Sequence, residues 1–241
     1  MFDKYLTWGG FPEVVLAIEE ERKEALLKQY FDDILFRDIS LRHSIRDIFL
    51  LRNLAVFLMT QTASLISFNR IANLFGISVE MASNYCHYIE EAFLVNLLSH
   101  FSLKIAERNR HPKKVHALDT GLRNAIALSF SPDQGRVLES AVLLHLYRLK
   151  NNVIFYINHE EEIDFALYNG HEIKLLVHVC LDFNESEVQQ REIKAFERAS
   201  LQFPNAHKMI ITKSTMRRPI ALKDVELTSA QEFFLLKDIN F

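Results

Sequence analysis

The spacing of apolar positions divides the chain into a helical first half and an alternating second half. From Met1 to Leu51 apolar residues recur at helical intervals, interrupted by the turn signal Gly9-Gly10-Phe11-Pro12. Pro12 to Gln29 is rich in helix formers, and Tyr30, Ile34, Leu35, Ile39 and Leu41 form a broken stripe. Ile45 to Thr62 predicts a third helix, apolar enough to require burial. Ser67 can cap a short helix, Phe68 to Leu74. Gly76 allows a tight turn with positive φ. Ser78 can cap a longer helix from Val79 to about Leu97. Helix, glycine turn and capped helix make the helix-turn-helix layout. The stretches Val95 to Leu103 and Lys113 to Leu118 read as short strands joined by a basic loop, which would form a wing.

Asp119 to Leu128 reads as a short helix, and Ser131-Pro132-Asp133 as a domain boundary. Beyond it the period changes. Gly135 to Lys150 is a helix. Val153 to Ile157 and Ile163 to Tyr168 are strands, and Asn169-Gly170 is a hairpin turn. Ile173 to Leu181 is the nearly continuous apolar run expected of a central strand. Glu185 to Gln202 is an amphipathic helix, Lys208 to Thr212 a buried strand, and Val225 to Leu227 a short one. Ser229 caps a last helix. The order is αβββαβ followed by βα, so the fold class is α+β.

Composition enters through what it excludes. Hydrophobic residues are 49% of the 241, enough for a real core and against disorder. The six glycines have neither the GxxxxGK nor the GxGxxG spacing, so no nucleotide-binding loop is present. Cys86 and Cys180 are too few for a disulfide scaffold or a CxxC metal knuckle. No secretory signal or spanning segment is visible, and the expected location is the cytoplasm, without membrane contact.

The net charge of −3 decides nothing by itself. Residues 51–115 form the basic segment, with Lys104, Arg108, Arg110, Lys113 and Lys114 in one run that can hold phosphates. Charge alone favours a solvated loop. On the longer helix of the turn motif, Asn84 and His87 lie on the outer face and can reach base edges. Between Val79 and Leu97 there is no Lys or Arg, and Glu80, Glu90 and Glu91 would repel phosphates. That helix therefore reads equally as a base reader and as a protein-contact surface. The five cations of the run are the better phosphate candidates.

Several segments carry a resemblance. They are Tyr5-Leu6-Thr7-Trp8-Gly9-Gly10-Phe11-Pro12-Glu13, Tyr30-Phe31-Asp32-Asp33-Ile34, Asn84-Tyr85 to Val95, Asp119-Thr120-Gly121-Leu122-Arg123, and Gly135-Arg136-Val137-Leu138-Glu139. In this order they resemble the C-terminal half of a family of archaeal and bacterial AAA+-type ATPases. The resemblance implies a lid-like helical segment over 1–50, a winged helix over 51–130, and over 131–241 a domain resembling the PD-(D/E)xK, or restriction-endonuclease-like, fold. The αβββαβ order read from the residues agrees with that last expectation. The ATPase core has no counterpart here. The expectation is therefore a C-terminal fragment, with ATP as a cofactor only if an ATPase domain lies upstream, and with that domain or another protein as a partner. Arg37, on the lid-like helices, reads as a surface arginine paired with Asp33 or Asp38.

The nuclease chemistry implied by the resemblance needs two carboxylates to hold a divalent metal and a lysine to orient water. Glu139 stands at the helix carboxylate and Asp164 at the strand acid. His178 and Cys180 occupy the Glu and Lys positions of the third strand. Imidazole is a poor Mg²⁺ ligand, and a thiol cannot replace the cation. The reading is a nuclease-like fold with its catalysis lost, with no metal and no cofactor. The alternatives are a nuclease working through Asp164 and Glu139, and a protein-interaction module. His178, Cys180 and Asp164 could also suggest Zn²⁺, but a buried histidine beside a buried cysteine is the simpler reading. The run Glu160-Glu161-Glu162 reads as a solvated hairpin tip. The expected function is a non-catalytic module that binds DNA through the winged helix.

Overall fold

A computed structural model describes residues 1–128, 133–149, 153–158, 162–183, 186–213 and 224–238. The predicted boundary at Ser131-Pro132 and the tip residues Glu160 and Glu161 lie outside them. The chain is a mixed α+β protein that divides into two compact units. Unit 1 is Met1–Leu97 with Pro112–Asp133, and unit 2 is Leu98–His111 with Gln134–Phe241. Among the described residues no helix is long and apolar enough to cross a membrane.

Unit 1 opens with α1 (Phe2–Trp8), α2 (Pro12–Leu16) and α3 (Glu20–Asp33), which continues through a π-helical stretch, Ile34–Ser40, into α4 (Leu41–His43). Next come α5 (Ile48–Thr60), β1 (Ser64–Ile66), α6 (Phe68–Phe75), α7 (Val79–Glu91) and β2 (Val95–Leu98). The chain then leaves the unit for α8 (Ile105–Arg110), which belongs to unit 2, and β3 (Lys113–Ala117) and α9 (Thr120–Ile126) complete unit 1. The three strands lie in the order β1-β3-β2, with β1 and β3 antiparallel. Phe31, Leu35 and Ile39 share one core with Leu54, Leu58, Ile71, Cys86 and Ile89, so the segment before residue 50 packs with the helices after it.

The turn motif forms as its residues dictate. The Ser67 side chain accepts the Arg70 N–H, the Ser78 side chain accepts the Met81 N–H, and Gly76 takes φ 66°. The longer helix stops earlier than its spacing predicts, at Glu91. Phe93 adopts φ 58°, and the Leu94 N–H reaches back to the Ile89 carbonyl before the chain turns extended. The predicted basic loop also differs. Residues Ile105–Arg110 form α8, closed by a Glu107 carboxylate that accepts from Ser102 and Lys104.

One clamp in unit 1 joins two of the sequence's glycine motifs. Asp119 caps α9 by accepting the Leu122 N–H at 2.8 Å, and its other oxygen accepts the Gly10 N–H at 2.9 Å. Thr120 donates to the Tyr5 carbonyl, and Asn124 donates to those of Leu6 and Thr7. A Cβ at Gly9 would lie 2.2 Å from Asp119 Oδ1, and one at Gly121 would lie 2.2 Å from the Trp8 carbonyl oxygen.

Unit 2 contains α10 (Gln134–Leu149), β4 (Val153–Asn158), β5 (Glu162–Tyr168), β6 (Ile173–Cys180), α11 (Ser186–Gln202), β7 (His207–Thr212), β8 (Glu226–Ser229) and α12 (Ala230–Phe233). The five strands lie in sequence order. β4, β5 and β6 form an antiparallel meander, and β7 and β8 add in parallel. The α11 crossover covers one face: Ala195 and Phe196 pack with Ala166, Leu176 and Ile210. Leu175 and Val177 have the opposite parity, and they are buried too, on the face where α10 meets β6. The segment Leu98–His111 belongs to this core. Phe101 makes edge contacts with Phe155 and Phe203, and its N–H donates to the Tyr156 carbonyl.

Candidate functional site

The densest group of buried ionisable side chains is in unit 2, on the sheet face under α11. β5 brings Asp164, β6 brings His178 and Cys180, and α11 brings Glu192. Strand alternation puts His178 and Cys180 on one face, as the sequence predicts. Glu192 follows from helical spacing. With Ala195, Phe196 and Ala199 it forms an i, i+3, i+4, i+7 stripe, so a carboxylate sits on the buried side of an amphipathic helix.

His178 Nδ1 lies 2.8 Å from Glu192 Oε2 and 3.6 Å from Asp164 Oδ2. The same Asp164 oxygen accepts the Val179 N–H at 2.9 Å. Arg191, at the surface, donates to the other Glu192 oxygen at 2.6 Å. The imidazole stands edge-on to Phe196, with ring centroids 4.8 Å apart. His178, Glu192 and Asp164 are all buried.

Burial alone would pull the His178 pKa down. Hydrogen bonds and charge from Asp164 and Glu192 override it and push the pKa up to about 9. The two carboxylates beside Nδ1 therefore favour the charged form of the buried ring at neutral pH. Glu192 shows the converse. Burial favours its neutral form, but His178 and Arg191 hold its pKa below the usual carboxylate value. Burial, reinforced by Glu192 and Asp164, pushes the Cys180 thiol up to about 12, so it stays protonated and is a poor nucleophile and a poor metal ligand.

The remaining predicted catalytic position, Glu139, is buried on α10. It is not among the groups that set the His178 proton. Among the described residues, no group of three or more His, Cys, Asp or Glu side chains is arranged to hold a metal ion. The donor set does not suit Mg²⁺: the Asp164 oxygen nearest the histidine already takes an N–H, and the ring between the carboxyl groups offers nitrogen rather than oxygen.

The predicted nucleic-acid residues are dispersed. Asn84 and His87 are exposed on α7, and His87 Nδ1 lies 3.3 Å from Glu90 Oε2. Of the run of five cations, Lys104 is exposed and pairs with Glu107 at 3.0 Å. Arg108 lies over the Phe155 ring, 5.6 Å from its centroid. Arg110 is exposed on α8, and Lys113 is half-buried. Lys114 is only 2% exposed, on a strand buried at positions of both parities, and it is not presented to a phosphate. Arg37 pairs with Asp33 at 3.4 Å, one helical turn away, and Asp38 is exposed.

Residues 1–134 match the model of a domain of unknown function, DUF8612. The chain is 38% identical over 221 residues to the uncharacterized protein MJ1544 of Methanocaldococcus jannaschii, covering 87% of this chain and 48% of that protein. It is 28% identical over 191 residues to an uncharacterized protein of Haemophilus influenzae, covering 77% and 47%. The chain spans about half the length of these curated relatives. The crystal structure of protein VC1899 from Vibrio cholerae aligns over 95% of this chain and 55% of that one. Its identity is 12% and its TM-score 0.31.

Proposed function

The chain belongs to the DUF8612 family through residues 1–134, and on that premise we propose that it is a non-catalytic interaction module, comparable to the C-terminal region of an AAA+-type ATPase. The strand order β1-β3-β2 around α6 and α7 supports a winged-helix arrangement. The meander β4-β5-β6, followed by a helical crossover to a parallel β7, supports a restriction-endonuclease-like core. The observation that carries the reading is the His178 imidazole seated between Asp164 and Glu192. It reads as an internal ion network at the place where the resemblance would put a metal-binding, water-activating centre.

The partner surface is read as one for protein. Unit 1 holds twelve Lys and Arg against fifteen Asp and Glu, so the whole net charge of −3 resides there. A net acidic unit whose α7 carries three glutamates and no cation favours a protein partner over a phosphate backbone. The exposure of Asn84 and His87 favours a second reading, base contact by α7.

Two assays test the proposal. Incubation of plasmid and single-stranded DNA with excess protein and Mg²⁺ or Mn²⁺ should give no cleavage. Cleavage that disappears in Asp164→Asn would overturn the non-catalytic reading. Fluorescence anisotropy of a labelled duplex should show no salt-sensitive binding. Binding that weakens in Asn84→Ala would replace protein contact by DNA contact.

A further inference from the structure

Unit 1 contains a concavity of about 500 Å³ between the turn at residues 43–47 and the N-terminal half of α7. Its size is within the range of ligand pockets, with room for a long side chain. His43 stacks on Tyr88 with ring centroids 3.7 Å apart and planes 12° apart, and Tyr85 stands 6.3 Å from Tyr88, so one wall is aromatic. Asp47, Glu80 and Arg46 line it too. Asp47 is fixed rather than mobile, since its carboxylate accepts the Leu50 N–H as the cap of α5. Burial and the nearby Asp47 charge both raise the Tyr85 pKa, which puts that carboxylate beside the phenol. His43 reaches Glu91 at 3.4 Å, which adds a third acidic group behind the aromatic wall.

We propose that this concavity is a docking site for a basic segment of a partner protein, with one arginine side chain lying over Tyr85 between Asp47 and Glu80. The proposal rests on the protein-contact reading of α7. Charge complementarity selects the occupant. The pocket offers two carboxylates against one guanidinium, an adjoining helix without cations, and phenol faces that attract a planar cation. An anionic or nucleotide occupant would meet the same two carboxylates at its phosphate.

The probe is labelled hexaarginine, titrated into the full chain by fluorescence anisotropy at about 50 mM and about 300 mM NaCl, with hexaglutamate as the reverse-charge control. Saturable binding of hexaarginine is expected, and none of hexaglutamate. The double variant Asp47→Asn with Glu80→Gln keeps a capping side chain at 47, and should weaken binding by about fivefold or more. Glu20→Gln with Glu21→Gln removes the same charge from exposed positions on α3 and should leave it unchanged. Tyr85→Leu should weaken it further. Absence of saturable binding, or equal losses in the two double variants, would overturn the site. Salt-sensitive binding of a DNA duplex in the same assay would instead overturn the protein-contact reading, so the two failures are distinguishable.

Discussion

At the scale of single residues, glycines of similar φ behave differently because of what surrounds them. Gly9 has φ 74°, and a Cβ there would meet the Asp119 carboxylate; Gly121 abuts the Trp8 backbone. Gly76 has φ 66° and nothing within 4 Å. Gly9→Ala and Gly121→Ala should each destabilise the protein by about 1–3 kcal/mol or more, through overpacking against the Asp119 carboxylate and the Trp8 backbone. Gly76→Ala should cost only about 1–2 kcal/mol, from the left-handed backbone alone. Melting temperatures of the three variants test this ranking, and Gly76→Ala as the most damaging would refute it. His178 gives a second residue-scale expectation. Its pKa is raised on folding, so its stabilising contribution is complete below about 6.5, declines as pH rises, and is gone above about 9. Denaturation midpoints should therefore fall across that window and then level off. His178→Ala should lose about 3–5 kcal/mol by removing the imidazole that the buried Asp164 and Glu192 share, and should remove the decline.

At the scale of elements, the caps show how far the sequence was legible. Ser67, Gly76, Ser78 and Ser229 each act locally, and each does in the structure what its neighbours predict. Ser78→Ala should cost about 1 kcal/mol, read by denaturant titration, because one N–H at the start of α7 loses its acceptor. The order of strands and helices in unit 2 was legible for the same reason, since periodicity is a local property. What the sequence did not disclose depends on distant partners. α7 ends at Glu91 because Phe93 takes a left-handed turn, although the apolar spacing runs on. The run 104–110 coils into α8 because Glu107 closes it and Phe155, far away in sequence, gives Arg108 a surface to lie on. Lys114 looks like a wing cation in a string of letters, and becomes a core residue once β3 pairs with β1. At the candidate site, Asp164 and His178 were singled out by the resemblance to a nuclease-like fold, and strand alternation put His178 on one face with Cys180. Their partner Glu192 was signalled only by a carboxylate on an apolar stripe, and its meeting with His178 required the α11 crossover.

At the scale of the whole molecule, the boundary of the family match and the boundaries of the folded units differ. The match ends at residue 134, yet within it the segment Leu98–His111 is built into unit 2. That segment contributes Phe101 to an aromatic cluster with Phe155, Tyr168 and Phe203, and His100 pairs with Tyr156 as an isolated strand bridge. The chain thus passes from unit 1 to unit 2, back, and across again, so no single cut yields both units whole. A fragment beginning at Gln134 would keep all five strands of the sheet and lose the residues that cover this aromatic surface. Phe101 is half-buried, so its absence should cost a good part of the roughly 3–5 kcal/mol typical of a fully buried phenylalanine. The fragment should therefore melt below the transition of the full chain that tracks the His178 pH window, and Phe101→Ala in the full chain should lower that same transition. Because the pH window belongs to unit 2, it serves as the marker for which transition is being watched. Equal melting of the fragment and of unit 2 in the intact chain would show that the 98–111 segment adds no stability there, and that the end of the family match is also a folding boundary.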